Sequence, residues 1–121
     1  MTTLAEVYEK AGGNYQDALE RLMNDKLIDR FLKKFPSDES YAQLKDFLAA
    51  GNLDEAFRAV HTLKGVAYNL SLTRLGDAAS ELTEVLRPGH EELRSDEKIA
   101  ELMAAIDTEY ATSLAAIQEL D

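Results

Sequence analysis

The sequence predicts an all-α protein, an up-and-down antiparallel four-helix bundle with an additional N-terminal helical cap. Three observations carry the prediction. Breakers are scarce, with six Gly and two Pro in 121 residues, while Ala, Leu, Glu, Lys and Asp, which favour helices over strands, dominate. Apolar residues recur at spacings of three and four along most of the chain, the period of a helix that buries one face. Ser, Thr, Asn and Asp stand where these runs begin, and Gly or Pro where they stop.

Thr2 or Thr3 can cap a short first helix through Lys10, which Ala11-Gly12-Gly13 ends because glycine accepts the left-handed conformation that closes helices. Asn14 suits the cap of a helix carrying Ala18, Leu19 and Leu22. The pattern resumes at Leu27, Ile28, Phe31, Leu32 and Phe35 until Pro36, and the spacing leaves one bent helix and two separate ones equally open. Ser37-Asp38-Glu39-Ser40 then opens the first bundle helix, with Tyr41, Leu44, Phe47 and Leu48 on one face and Gly51 as its stop.

Asn52 caps the central helix, on which Leu53, Ala56, Phe57, Val60, Leu63, Ala67 and Leu70 form the expected buried stripe. After a turn at Asn69 to Thr73, Leu75, Ala78, Ala79, Leu82, Val85 and Leu86 mark the third bundle helix, broken by Pro88-Gly89. A looser acidic linker leads to Ser95-Asp96 and a last helix with Ile99, Leu102, Met103, Ile106, Tyr110, Leu114 and Ile117 in phase. Short connections join the helices that start from Ser37, Asn52, Leu72 and Ser95, so neighbours should run antiparallel. The chain thus divides into a cap, residues 1–36, and a bundle, residues 37–121, within one compact domain.

Composition narrows the function. A net charge of -10 would repel a phosphodiester backbone or an anionic bilayer surface, both of which are bound through excess Lys and Arg, so neither nucleic acid nor a membrane is an expected partner. No apolar run approaches the roughly 20 residues that cross a bilayer. Glu6 and Glu9 stand where a signal peptide would be apolar. A soluble, cytoplasmic protein is the expectation. The absence of Cys removes thiol nucleophiles, disulfides and zinc-thiolate clusters.

Only His61 and His90 are available as histidines, too few for a usual metal or multi-residue catalytic site. His90 lies in a Pro88-Gly89-His90 turn and is assigned no role. His61 sits midway along the central helix, and an advance of about 100° per residue places it roughly 130° from the middle of the apolar stripe, facing solvent. Gly65 and Tyr68 fall within about 40° of it, with Lys64 between that row and the stripe, so the four share one surface patch. A glycine inside a helix costs up to about 1 kcal/mol relative to Ala. Gly65 therefore marks a close approach, either by a partner closing over His61 or by a neighbouring helix; spacing does not choose between them.

No Asp or Glu occurs from Ala56 to Gly76, whereas Arg58, Lys64 and Arg74 do. The surroundings of His61 are expected to be basic, and a cation one turn away would offset the charge of a phosphoryl group on the ring. The stretch supplies no orienting carboxylate for a triad. Neither a phosphate-binding G-x-x-x-x-G-K-[ST] loop nor a G-x-G-x-x-G turn is present, so any phosphate must arrive on another protein.

The stretch Ala59-Val-His-Thr-Leu-Lys-Gly-Val-Ala-Tyr-Asn-Leu70, followed by Leu75 and Leu82, resembles the histidine-containing phosphotransfer (HPt) family, whose signature is H-x-x-K-G in the second helix of a four-helix bundle. The likeness runs from about Ser37 to the C-terminus and does not cover residues before Pro36. It implies a non-enzymatic phosphoryl carrier of a two-component phosphorelay, with His61 as phosphoacceptor, Lys64 as the cation beside the phosphoryl group, and Gly65, Tyr68 and Arg58 on the docking face. The implied partners are response-regulator receiver domains and a hybrid sensor histidine kinase. No cofactor belongs to the chain itself; Mg2+ would be supplied by the receiver, and the carrier would act as a monomer. Ser71 stands where the family commonly has Gly, and Thr83 where Glu or Gln often orients the imidazole. The other reading is a helical docking module that binds receivers or kinases through the same face without accepting phosphate.

Overall fold

The computed structural model describes residues 2–120, and no strand occurs among them. Seven α-helices follow one another: α1 (Leu4–Ala11), α2 (Tyr15–Leu22), α3 (Asp25–Lys34), α4 (Ser40–Ala49), α5 (Leu53–Asn69), α6 (Thr73–Leu86) and α7 (Asp96–Gln118). Short 3-10 turns lie at Phe35–Ser37 and Glu91–Leu93.

The starts are where the capping residues put them. Thr3 and Glu6 form a reciprocal capping box on α1, and Asn14, Asn24, Asn52 and Ser95 each accept a hydrogen bond from a backbone N–H of the first turn they precede. Two helices, not one bent helix, fill residues 15–34, because Met23 takes a φ of 79° and breaks the hydrogen-bond ladder before Asn24 caps anew. The first bundle helix starts at Ser40, three residues after the expected Ser37: Pro36 sets a 3-10 turn, and Asp38 receives the Ser40 N–H and hydroxyl.

α4 to α7 form the antiparallel bundle. Tyr41, at the start of α4, donates to Asp107 and stacks on Tyr110 of α7 with ring centroids 3.8 Å apart. Tyr68, near the end of α5, reaches Asp77 at the start of α6, and Arg74 of α6 pairs with Glu109 of α7. Leu44, Val60, Leu63, Leu75, Leu82 and Ile106 are fully buried, each stabilising the fold by about 1.5–3 kcal/mol through removal of apolar surface from water. Within the expected α5 stripe, Leu53 and Phe57 are only half-buried. Phe57 lies at the stripe's edge, one turn before His61, and so borders the exposed face.

The N-terminal helices close one end of the bundle. The buried Tyr8 hydroxyl donates to the Leu70 carbonyl at 2.7 Å, the Asn14 N–H to the Ser71 carbonyl and the Arg74 N–H to the Gly12 carbonyl, and the Ser71 hydroxyl to Asp17 at 2.6 Å. These bonds satisfy backbone groups that the α5–α6 turn would otherwise leave open. α1 also packs along α7, where Lys10 pairs with Glu119.

His90 has a structural part that the sequence reading did not assign. Its Nδ1 lies 2.7 Å from the Glu84 carbonyl oxygen, and because a carbonyl only accepts, Nδ1 carries the proton in this bond. Arg94 donates to the carbonyls of Val85, Leu86 and Arg87. Together they satisfy the last carbonyls of α6, which have no partner within the helix.

Candidate functional site

α5 presents the predicted patch because its opposite side is held down by Ala56, Val60, Leu63 and Ala67, all buried. His61 and Gly65 are exposed on the outer row, and Lys64 is half-buried between that row and α6. Above Gly65 a Cβ would meet no atom within 4 Å. Of the two explanations for this glycine, close packing of a neighbouring helix is thereby removed.

Tyr68 leans away from His61 onto α6. Its ring lies against Gly76, where a Cβ would stand 2.5 Å from it, and its hydroxyl donates to Asp77 at 2.6 Å. Burial, then this hydrogen bond, push its pKa up to about 12. Arg58 stays on the surface, 73% exposed, and pairs with Glu55 at 2.8 Å.

The basic surroundings expected from the acid-free stretch between Ala56 and Gly76 are altered once the helices pack. Arg74 turns to Glu109 and the Lys10 carbonyl, away from the patch. α6 contributes the carboxylates of Asp77 and Glu84, both exposed. Glu84 is held by Arg87 at 2.6 Å; that hydrogen bond is the main cause of its lowered pKa, and the positive charge of Lys64 adds to it.

Arg87 is the residue that sequence reasoning missed. Its guanidinium carbon lies 5.5 Å from the centroid of the Phe57 ring, and that ring is 5.9 Å from the imidazole of His61. The signal was present: Leu70, Ser71 and Leu72 make a tight connection between antiparallel helices, so residues at comparable distances from it on either side, such as Phe57 and Arg87, come near each other across α5 and α6.

Thr83 is fully buried, and its hydroxyl donates to the Ala79 carbonyl one turn earlier at 2.7 Å. It therefore cannot reach the imidazole. Among the described residues no side chain hydrogen bonds to the His61 ring, and no group of three or more His, Asp or Glu is placed to hold a metal ion. No described helix is long and apolar enough to cross a membrane.

One row of α5 thus carries an exposed histidine, a bare glycine one turn on and a lysine beside them. The family model of the Hpt domain matches residues 26–119. The chain belongs to the Hpt domain family. Hpt domains are phosphotransfer modules of two-component signalling, carriers that interact with receiver domains and kinases. The match opens at Lys26, ahead of Pro36 where the sequence likeness stops, and so takes in most of α3, which packs on α7 as well as on the following 3-10 turn. Neither the curated proteins nor the solved structures gave a match.

Proposed function

We propose that His61 is the phosphoacceptor of this Hpt domain, taking a phosphoryl group from a receiver's phosphoaspartate, or from a hybrid sensor kinase, and passing it to another receiver. The observation that carries the proposal is the empty space above Gly65, one turn from the exposed His61. No contact within the chain accounts for a glycine there, whereas a receiver closing over the imidazole needs that space. The row continues to Asn69, which lines a groove with Leu22, Phe31 and Val66, and this lends apolar area to a docking footprint.

In the transfer step a lone pair on a His61 ring nitrogen attacks phosphorus. The N–P bond forms as the P–O bond to aspartate breaks, and the bonding electrons leave with the carboxylate. The transition state is loose and carries its charge on the equatorial oxygens, so positioning and positive charge do most of the catalytic work. Lys64 supplies one charge from this chain, and a Mg2+ ion held by the receiver would supply the other. Glu84 keeps Arg87 engaged while Lys64 retains freedom to turn to the phosphoryl group. The domain works as a monomeric cytoplasmic carrier, one phosphoryl group per chain.

The test mixes the chain with a phosphorylated receiver and follows acid-labile, base-stable label. His61→Gln should remove the label with the fold intact, because exposed substitutions usually change stability by less than about 0.5 kcal/mol. His90→Gln should keep it. A receiver that binds the wild-type chain tightly without ever labelling it would favour the docking module instead.

A further inference from the structure

An exposed imidazole with no hydrogen bond would rotate among several conformations, and only some present a ring nitrogen to an incoming phosphorus in line. The residue expected to restrain it by hydrogen bonding is replaced by Thr83, buried and bonded to its own helix. What touches the ring instead is Phe57, with centroids 5.9 Å apart and planes inclined by 42°. Phe57 is itself restrained: the Arg87 guanidinium lies over its ring at 5.5 Å, and two hydrogen bonds to Glu84, at 2.6 and 3.1 Å, fix that guanidinium. Arg87 ends α6 and Phe57 lies in the first turns of α5, so the clamp spans two helices of the bundle.

We infer that Phe57 is a positioning residue for His61, held in place by the Arg87–Glu84 pair, and that it restricts the imidazole by packing where other members of the family would use a hydrogen bond. The inference rests on the phosphoacceptor reading of His61. It requires a flat ring at position 57 and a cation at position 87, and it assigns neither any contact with the phosphoryl group. Glu84 enters only as the anchor of Arg87.

The experiment uses the full chain with two phosphodonors, phosphoramidate and a phosphorylated receiver domain, and records the His61 ring by 15N NMR. Phe57→Leu keeps an apolar side chain at a half-buried position, so folding is retained and can be checked by circular dichroism. Its rate constant for phosphorylation should fall about tenfold with both donors, since orientation is lost whichever donor arrives, while the receiver concentration at half-saturation stays unchanged. Phe57→Tyr should restore the rate, and Arg87→Gln should give a smaller fall, about threefold, by releasing the ring. Motion of the His61 ring should rise in the same order.

A folded Phe57→Leu chain with wild-type rates and an unchanged His61 ring would overturn the inference. So would a loss confined to the receiver's half-saturating concentration, which would make Phe57 a docking contact. If the wild-type chain takes no label from either donor, the phosphoacceptor reading fails, and the ring motion of His61 still decides whether Phe57 restrains it.

Discussion

The ring of Tyr68 on α5 lies against the bare backbone of Gly76 on α6, so close that a Cβ there would stand 2.5 Å from it. The contact seats the ring where its hydroxyl can reach Asp77, and it ties the outer edges of the two helices together beside the candidate site. We predict that Gly76→Ala, although it improves intrinsic helix propensity, destabilises the domain by about 1–3 kcal/mol, because the ring must swing out and abandon its hydrogen bond. Thermal unfolding checks this; a rise in melting temperature would show that the ring moves at no cost.

Gly65 should behave in the opposite way. A Cβ there meets nothing within 4 Å, so Gly65→Ala is predicted to stabilise the domain by up to about 1 kcal/mol. Gly65→Gln should also leave it folded, yet strongly impair transfer from receiver phosphoaspartate while affecting phosphoramidate much less. Equal loss with both donors would remove the close-approach explanation.

Lys64 is half-buried and is expected to stabilise the charge that develops in transfer without forming a bond to phosphorus. Lys64→Ala should lower the transfer rate about tenfold, equivalent to roughly 1.4 kcal/mol of transition-state stabilisation, and leave acceptance on His61 intact. Single-turnover kinetics with a labelled receiver measure both. An unchanged rate and an unchanged phosphohistidine lifetime would return Lys64 to an ordinary surface cation.

Ser71 takes a φ of 58°, the left-handed conformation that glycine accepts without strain, and its hydroxyl holds Asp17. Ser71→Gly relieves the backbone but loses that bond, and the two effects, each about 1 kcal/mol, should nearly cancel. Ser71→Ala keeps the strain and loses the bond, so it should be the less stable variant by about 1 kcal/mol. Chemical denaturation of the pair decides it; equal stabilities would show that the left-handed backbone at position 71 carries no strain.

Arg94 donates to three terminal carbonyls of α6. Arg94→Ala is predicted to cost about 2–3 kcal/mol by leaving half-buried acceptors open, and His90→Gln less, since only the bond to Glu84 is at stake. Both variants should retain phosphoryl acceptance. Loss of acceptance in a folded His90→Gln chain would place the chemistry on the other histidine.

Much of the fold is legible from the chain because its determinants are local. Thr3, Asn14, Asn52 and Ser95 cap the helices they precede, and the period of three and four marks the buried faces. The exposed position of His61 and Gly65 follows from the same rotation along one helix. The cap-like run from Ser37 points to a helix start three residues too early, because Pro36 turns the chain locally and passes the start to Ser40. The break at Met23 is not legible in the chain, because neither glycine nor proline marks it.

What lay beyond the sequence was everything that depends on which residues face each other across helices. A helix period says that Phe57 and His61 are neighbours. Only the packed bundle sets Arg87 over Phe57, turns Arg74 to Glu109, brings the carboxylate of Glu84 to the side of an acid-free stretch, and leaves the space above Gly65 empty. Local hydrogen bonds and periodicity act within a turn or two of chain, whereas the electrostatic field and free volume around His61 are set by side chains that meet only after the helices dock.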